Sequence, residues 1–285
     1  MFIKKSSSTR RQALLASFGL ASLGLAAAAV LGTSVAHADS VADIKTKGTV
    51  VIGIQGDNSP WGFVNTSGTQ DGFDADIGRL FAAELGVKAE FVPLAVANRI
   101  PALTTGRVDV LFATMAMTAE RAKAVQYSKP YVANIIYLIG AKADTIKTNE
   151  DMKKVSIGVP TGSIQDIQIT KNAPADTVIR RFADDAAAIQ ALISGQTQAV
   201  GGNMFYLDRI EPQKPGLYEN KLEFTRLYNG ACAKLGDKEL NVALNTFIDK
   251  IKANGELAKA YAKWMKVPVP DLATAAVEGV TFTVQ

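Results

Sequence analysis

The sequence predicts a two-lobed α/β fold with largely parallel sheets, and three observations carry that expectation. Strand-like and helix-like segments alternate, the alternation occurs twice, and two extended stretches join the repeats. Thr49–Ile54 is a short β-branched run and reads as a buried strand. Residues 74–86 read as a helix. Ile77, Leu80, Phe81 and Leu85 recur at spacings that share one face, and Gly86 ends it. Residues 89–94 are the next strand, 99–105 a short helix closed by Gly106, 108–113 a strand and 119–125 a helix. The plan then restarts. Residues 155–159 are a strand, and Gly162-Ser163 opens a helix to about Thr170. Residues 177–182 are a strand, Asp184 caps a helix ending at Gly195, and 198–201 are a strand. Residues 132–139, an apolar run without turn residues, and the extended stretch 222–233 read as crossover strands between lobes. Amphipathic helices follow at 239–253 and 256–265, split by Asn254-Gly255, and the tail from Val267 is expected to pack along a surface.

Charge and rare residues exclude several chemistries. The whole chain is +4, yet four of its basic residues (Lys4, Lys5, Arg10, Arg11) lie in 1–38, which has no acid, so residues 39–285 carry 27 charges of each sign. A neutral surface argues against nucleic acid or anionic lipid as partner. The one histidine, His37, lies in the same leader, so Ser-His-Asp and Cys-His catalysis and His-based zinc sites are excluded once the leader is gone. Cys232 is the one cysteine, which excludes an intrachain disulfide and a thiolate cluster. No cofactor is implied. Gly53-Ile54-Gln55-Gly56 lacks the third glycine and the following helix of a dinucleotide site.

Residues 1–38 have the form of a signal peptide: a basic start, an apolar run from Ala13 to Val35, and the small-x-small site Ala36-His37-Ala38, with cleavage after Ala38. Thr9-Arg10-Arg11-Gln12-Ala13-Leu14-Leu15 resembles a twin-arginine signal without the usual bulky residue at Ala13, so Sec export fits as well. A periplasmic location is expected.

An ordered series of motifs then resembles one family. Gly72-Phe73-Asp74-Ala75-Asp76-Ile77 is followed by Asn98-Arg99-Ile100-Pro101 and Gly106-Arg107-Val108-Asp109. Met117-Thr118-Ala119-Glu120-Arg121, Tyr127-Ser128-Lys129-Pro130-Tyr131, Gly162-Ser163 and Lys263-Trp264-Met265 complete the series. Together they resemble the periplasmic solute-binding proteins of polar amino-acid ABC importers, across nearly the whole mature chain. The resemblance implies a type II-like periplasmic binding protein fold, with the ligand cleft between two lobes joined by two hinge strands. It implies lobe 1 at 39–134 plus 229–285 and lobe 2 at 135–228. It also implies a monomer that delivers an amino acid to a membrane permease.

The resemblance also assigns site residues. Arg121 matches the carboxylate clamp, since a guanidinium's planar fork fits a carboxylate with two hydrogen bonds. Thr114, at the end of its strand, offers a hydroxyl or N–H to the same group. Ser163 and Ile164 open a helix, where free N–H groups favour an anion. Trp61 either covers the ligand or anchors the core. Asn58 stands where many relatives place a stacking aromatic, and Phe63 is expected in the core. Arg99 matches the arginine that reaches a side-chain carboxylate in glutamate/aspartate-binding relatives, or else forms a surface salt bridge. Ala116 and Asn203 replace a hydroxyl and an acid of the usual ammonium pocket, so Asp57 or Asp166 is expected to take over, or the ligand lacks an ordinary ammonium. Two other readings stay open: a dehydratase-like enzyme on the same fold, acting through Glu120 or Asp166, and a sensory partner of a membrane receptor.

Overall fold

A computed structural model describes residues 40–272 and 276–284, which belong to one compact unit. The expected leader, its cleavage site and His37 lie outside the described residues. The chain runs α1 (Ser40–Lys47), β1 (Thr49–Ile54), β2 (Asp57–Asn58), β3 (Gly62–Val64), β4 (Gln70–Asp71), α2 (Phe73–Leu85), β5 (Lys88–Pro93), α3 (Arg99–Thr104), β6 (Val110–Leu111) and α4 (Ala119–Ala122). It continues through β7 (Val125–Ala141), β8 (Ile157–Pro160), α5 (Ile164–Asn172), β9 (Ile179–Phe182), α6 (Asp185–Ile193), β10 (Ala199–Asn203), α7 (Tyr206–Ile210), β11 (Tyr218–Lys234), α8 (Lys238–Ala253) and α9 (Glu256–Trp264).

One eight-stranded sheet, in the order β5-β1-β6-β11-β7-β10-β8-β9, runs through the molecule. Its outer pairs are parallel: β1 with β5 and β6, β8 with β9 and β10. The two long strands β7 and β11 pair antiparallel along their whole length, with register shifts at Asn220/Leu222, Glu223/Thr225, Asn229/Gly230 and Gly230/Cys232. They join a first half, built on β1, β5 and β6, to a second half, built on β8, β9 and β10. Each half has its own apolar core. Ile52, Phe73, Phe81, Phe112 and Phe247 centre the first, and Ile157, Val159, Ile169 and Leu138 the second.

Local chemistry fixes the helix ends that matter to the site. Gly72 precedes α2 at φ 114°, and a Cβ there would lie 2.6 Å from the Trp61 carbonyl, so only glycine fits. Ser163 caps α5 by accepting from Asp166 N, and Asp184 caps α6 by accepting from Ala187 N. The tail is held as well as packed. Gln126 and Asn245 donate to the carbonyls of Thr281 and Phe282, while Val277, Val280 and Phe282 pack on the first half.

The strand expected at 108–113 is two residues long, and the chain turns left-handed at Thr114, whose φ is +53°. The small sheet β2-β3-β4 and the helices α1 and α7 were not anticipated. Strands of two or three residues are too short to show a period.

Candidate functional site

A polar cavity lies between the halves at the carboxyl ends of β1, β6 and β10, where open α/β sheets leave a crevice. Arg99, Thr114, Arg121 and Asn58 reach it from the first half, and Ser163, Ile164 and Asn203 from the second. Trp61 and Ala116, both expected at the site, are absent from its wall. Trp61 is fully buried in the first core, edge-on to Phe73 and Phe205, with Nε1 unpartnered among the described residues. Ala116 packs with Ile136 and Ile164, and its carbonyl serves instead, accepting from Arg121 Nη1 at 3.2 Å and the Tyr127 hydroxyl at 2.7 Å. Phe63 is half-buried against Trp264 rather than in the core.

Two buried guanidiniums dominate the wall. Arg99 opens α3. Its Nε donates to Val96 O at 3.0 Å, and its Nη1 to Ala113 O and Thr114 O at 2.6 and 3.2 Å. Burial, then the charge of Arg121, lower its pKa from 12.5 to about 10. The surface salt bridge considered as its alternative is absent, for the side chain is only 4% exposed. Arg121 lies in α4 behind its cap Thr118, and its Nη2 crosses to the second half, donating to Gly162 O at 3.2 Å. Among the described residues neither guanidinium forms an ion pair; their acceptors are carbonyls. Carbonyl dipoles leave a net positive charge that a carboxylate would neutralise.

Thr114 is held rather than free. Its N–H and hydroxyl both donate to Asp74 Oδ2, at 2.8 and 3.2 Å, so neither is the ligand donor that was expected. The other oxygen of Asp74 accepts from the Tyr131 hydroxyl at 2.8 Å. Left-handed backbone at a β-branched residue costs about 1–3 kcal/mol, which two bonds to a carboxylate of about 1.5–3 kcal/mol each offset. Burial raises the Asp74 pKa from 3.8 to about 6. Ser163 also departs from expectation. Its N–H donates to Pro160 O and its Oγ accepts from Asp166 N, leaving the hydroxyl hydrogen for the cavity.

A chain of amides crosses between the halves. Asn203 Nδ2 donates to Asn58 Oδ1 at 3.0 Å, Asn58 Nδ2 to Gln55 Oε1 at 3.1 Å, and Gln55 Nε2 to Asp185 Oδ2 at 2.9 Å. Asp185 also accepts from the Tyr206 hydroxyl at 2.6 Å and from Gln165. The acids expected to face a ligand ammonium are engaged elsewhere. Asp166 pairs with Arg181 and accepts from Gly162 N. Asp57 accepts from Ala186 N across the halves, and burial, reinforced by Asp185, raises its pKa to about 6.

Gln55, Asp185, Gln165, Val96 and Asn134 complete the wall and escaped the sequence reading. The carboxyl-end rule that found Thr114 applies equally to Gln55, one residue past β1. Asp185 was hidden beside the cap Asp184.

Two α/β halves on shared long strands, enclosing a charged cavity, are the architecture of a solute-binding protein. The chain belongs to the bacterial extracellular solute-binding proteins, family 3, whose pattern matches residues 50–267. It is 31% identical over 233 residues to the ABC transporter glutamine-binding protein GlnH of Bacillus subtilis (strain 168), covering 80% of this chain and 85% of that one. It is 28% identical over 251 residues to the L-cystine-binding protein TcyJ of Escherichia coli (strain K12), covering 86% and 94%. It is similar in structure to the ancestral amino acid-binding protein AncCDT-1, a precursor of cyclohexadienyl dehydratase, with a TM-score of 0.71 and 31% identity over 80% of this chain and 99% of that one.

Proposed function

We propose that this protein is the periplasmic receptor of an ABC importer, capturing a polar amino acid, preferentially an acidic one or a related small carboxylate, and passing it to the membrane permease. The observation that carries the reading is the pair of buried guanidiniums, Arg121 and Arg99, facing one cavity with no acid in contact among the described residues. With Asp185 the ionised side chains of the wall sum to one positive charge, which a ligand of net charge −1 balances. Arg121 binds the main-chain carboxylate and Arg99 the side-chain one. The lobes are 39–134 with 229–285 and 135–228, and β7 and β11 are the hinge. The cavity volume of about 20 Å3, little more than the roughly 10–15 Å3 that one water needs, is that of a shut site, so ligand enters when the lobes part. Glu120 is exposed and paired with Lys123, and Asp166 is held by Arg181, so neither is poised as the acid or base a dehydratase needs. Relatives named for glutamine and cystine support the amino-acid class. The receptor acts as a monomer and needs no nucleic acid.

A thermal-shift screen of the proteinogenic amino acids and small dicarboxylates tests this. A ligand at about 100 times its Kd stabilises the fold by about 2.7 kcal/mol. Glutamate or aspartate giving the largest shift is the expected result. Arginine or lysine giving it would overturn the charge argument, and no shift with any compound would overturn the receptor reading.

A further inference from the structure

Asp185 is 1% exposed, the first residue of α6, and part of the cavity wall. Among the described residues it has no ion pair: its three partners, Gln55, Tyr206 and Gln165, are neutral donors. A buried carboxylate whose hydrogen-bond partners are all neutral is costly to hold, though the nearby charge of Arg99 and the amino terminus of α6 favour its ionised form. Each carboxylate oxygen accepts two hydrogen bonds. Tyr206 and Gln165 fill Oδ1, whereas Oδ2 holds Gln55 alone. One acceptor position on a buried anion therefore remains, in a cavity that also holds two guanidiniums.

We infer that Asp185 is the residue that binds the ligand's ammonium group, its open Oδ2 position taking an N–H while Arg121 takes the main-chain carboxylate and Arg99 faces the side chain. This rests on the receptor reading above and adds to it the cationic half of the site. Asn203 lines the same cavity, where its Nδ2 donates to Asn58 and its Oδ1 accepts from Phe205 N, but the acceptor capacity left on Oδ1 is that of an uncharged group. A neutral amide also gives an ammonium one weak acceptor where Asp185 gives a full charge. Gln55 belongs to the first half and Asp185 to the second, so their bond sets the carboxylate where closure brings it to the guanidiniums.

The experiment compares L-glutamate and L-glutamine with their counterparts lacking the amino group, glutarate and 4-carbamoylbutanoate, by calorimetry on the mature chain. Asp185→Asn is expected to weaken both amino acids by about thirtyfold or more, the effect of removing one partner of a buried charge pair. The two deamino compounds change by less than about threefold, since no ammonium is there to lose. Asp185→Glu keeps the charge, displaces it by one methylene and carries the same test if the asparagine variant does not fold: again only the amino acids weaken. Equal losses for amino acids and deamino compounds would make Asp185 a structural residue and overturn the inference with the receptor reading intact. Unchanged amino-acid binding would do the same. A wild-type chain that binds none of the four compounds and no other amino acid or dicarboxylate of the thermal-shift screen would overturn both.

Discussion

Replacing Arg121 with alanine separates binding from stability. Its two hydrogen bonds, to Ala116 O and Gly162 O, are both 3.2 Å long. Ala116 O keeps the Tyr127 hydroxyl at 2.7 Å, so only Gly162 O is left without a donor. One net hydrogen bond and the packing of a buried stem together amount to about 1–2 kcal/mol of folding free energy. Arg99 gains in part, because the charge of Arg121 contributes to lowering its pKa. The ligand loses much more. A carboxylate deprived of its buried partner costs about 3–5 kcal/mol, a hundredfold to a few thousandfold in Kd. Urea denaturation reads the first quantity, and calorimetry with the tightest wild-type ligand reads the second. A Kd within about threefold of wild type, or a folding loss as large as the binding loss, would refute the assignment of Arg121.

Three further predictions concern the supports of the site. The Asp74 pKa is raised to about 6, so the folded state holds that proton more tightly than the unfolded chain; the resulting stability is whole below pH ~4 and fades as pH rises through about 6, a change of about 3 kcal/mol. Asp74→Asn removes that pH dependence, and denaturation series between pH 4 and 7 in which variant and wild type weaken in parallel would count against it. Gly202→Ala puts a methyl 2.1 Å from Cδ2 of the buried Tyr206 ring, whose hydroxyl holds Asp185; overpacking of about 1–3 kcal/mol should lower both Tm and affinity, and an unchanged melting curve would contradict the geometry. Trp61→Phe breaks no hydrogen bond, since Nε1 has no acceptor among the described residues, so it should cost only packing, about 1–2 kcal/mol, and leave Kd within about threefold; a larger change in Kd would return Trp61 to the ligand.

The sequence was most legible where periodicity is long. The faces of α2 and α8 and the β-branched run of β1 are set by local pattern, and the structure keeps them. It was less legible where the chain departs from regular structure to build the site. Nothing local announces that Thr114 turns left-handed, because Asp74, forty residues earlier in the chain, imposes it. Arg99 and Arg121 were legible by motif and chemistry, but not that carbonyls rather than acids would be their acceptors. Asp185 was illegible for a different reason. Two adjacent aspartates open α6, and sequence alone does not tell which caps the helix and which faces the other half of the protein.

Cys232 pairs with Leu111 of β6 and Tyr127 of β7, at the heart of the sheet. Its thiol is sealed from solvent, and burial pushes its pKa far above the ordinary range. An oxidising exterior therefore finds nothing to react with, and covalent dimers through this sulfur require a chain that has already come apart. The same seclusion makes the sulfhydryl a built-in clock: a maleimide dye added to the native protein is incorporated only as fast as molecules spontaneously unravel, with no label engineered in.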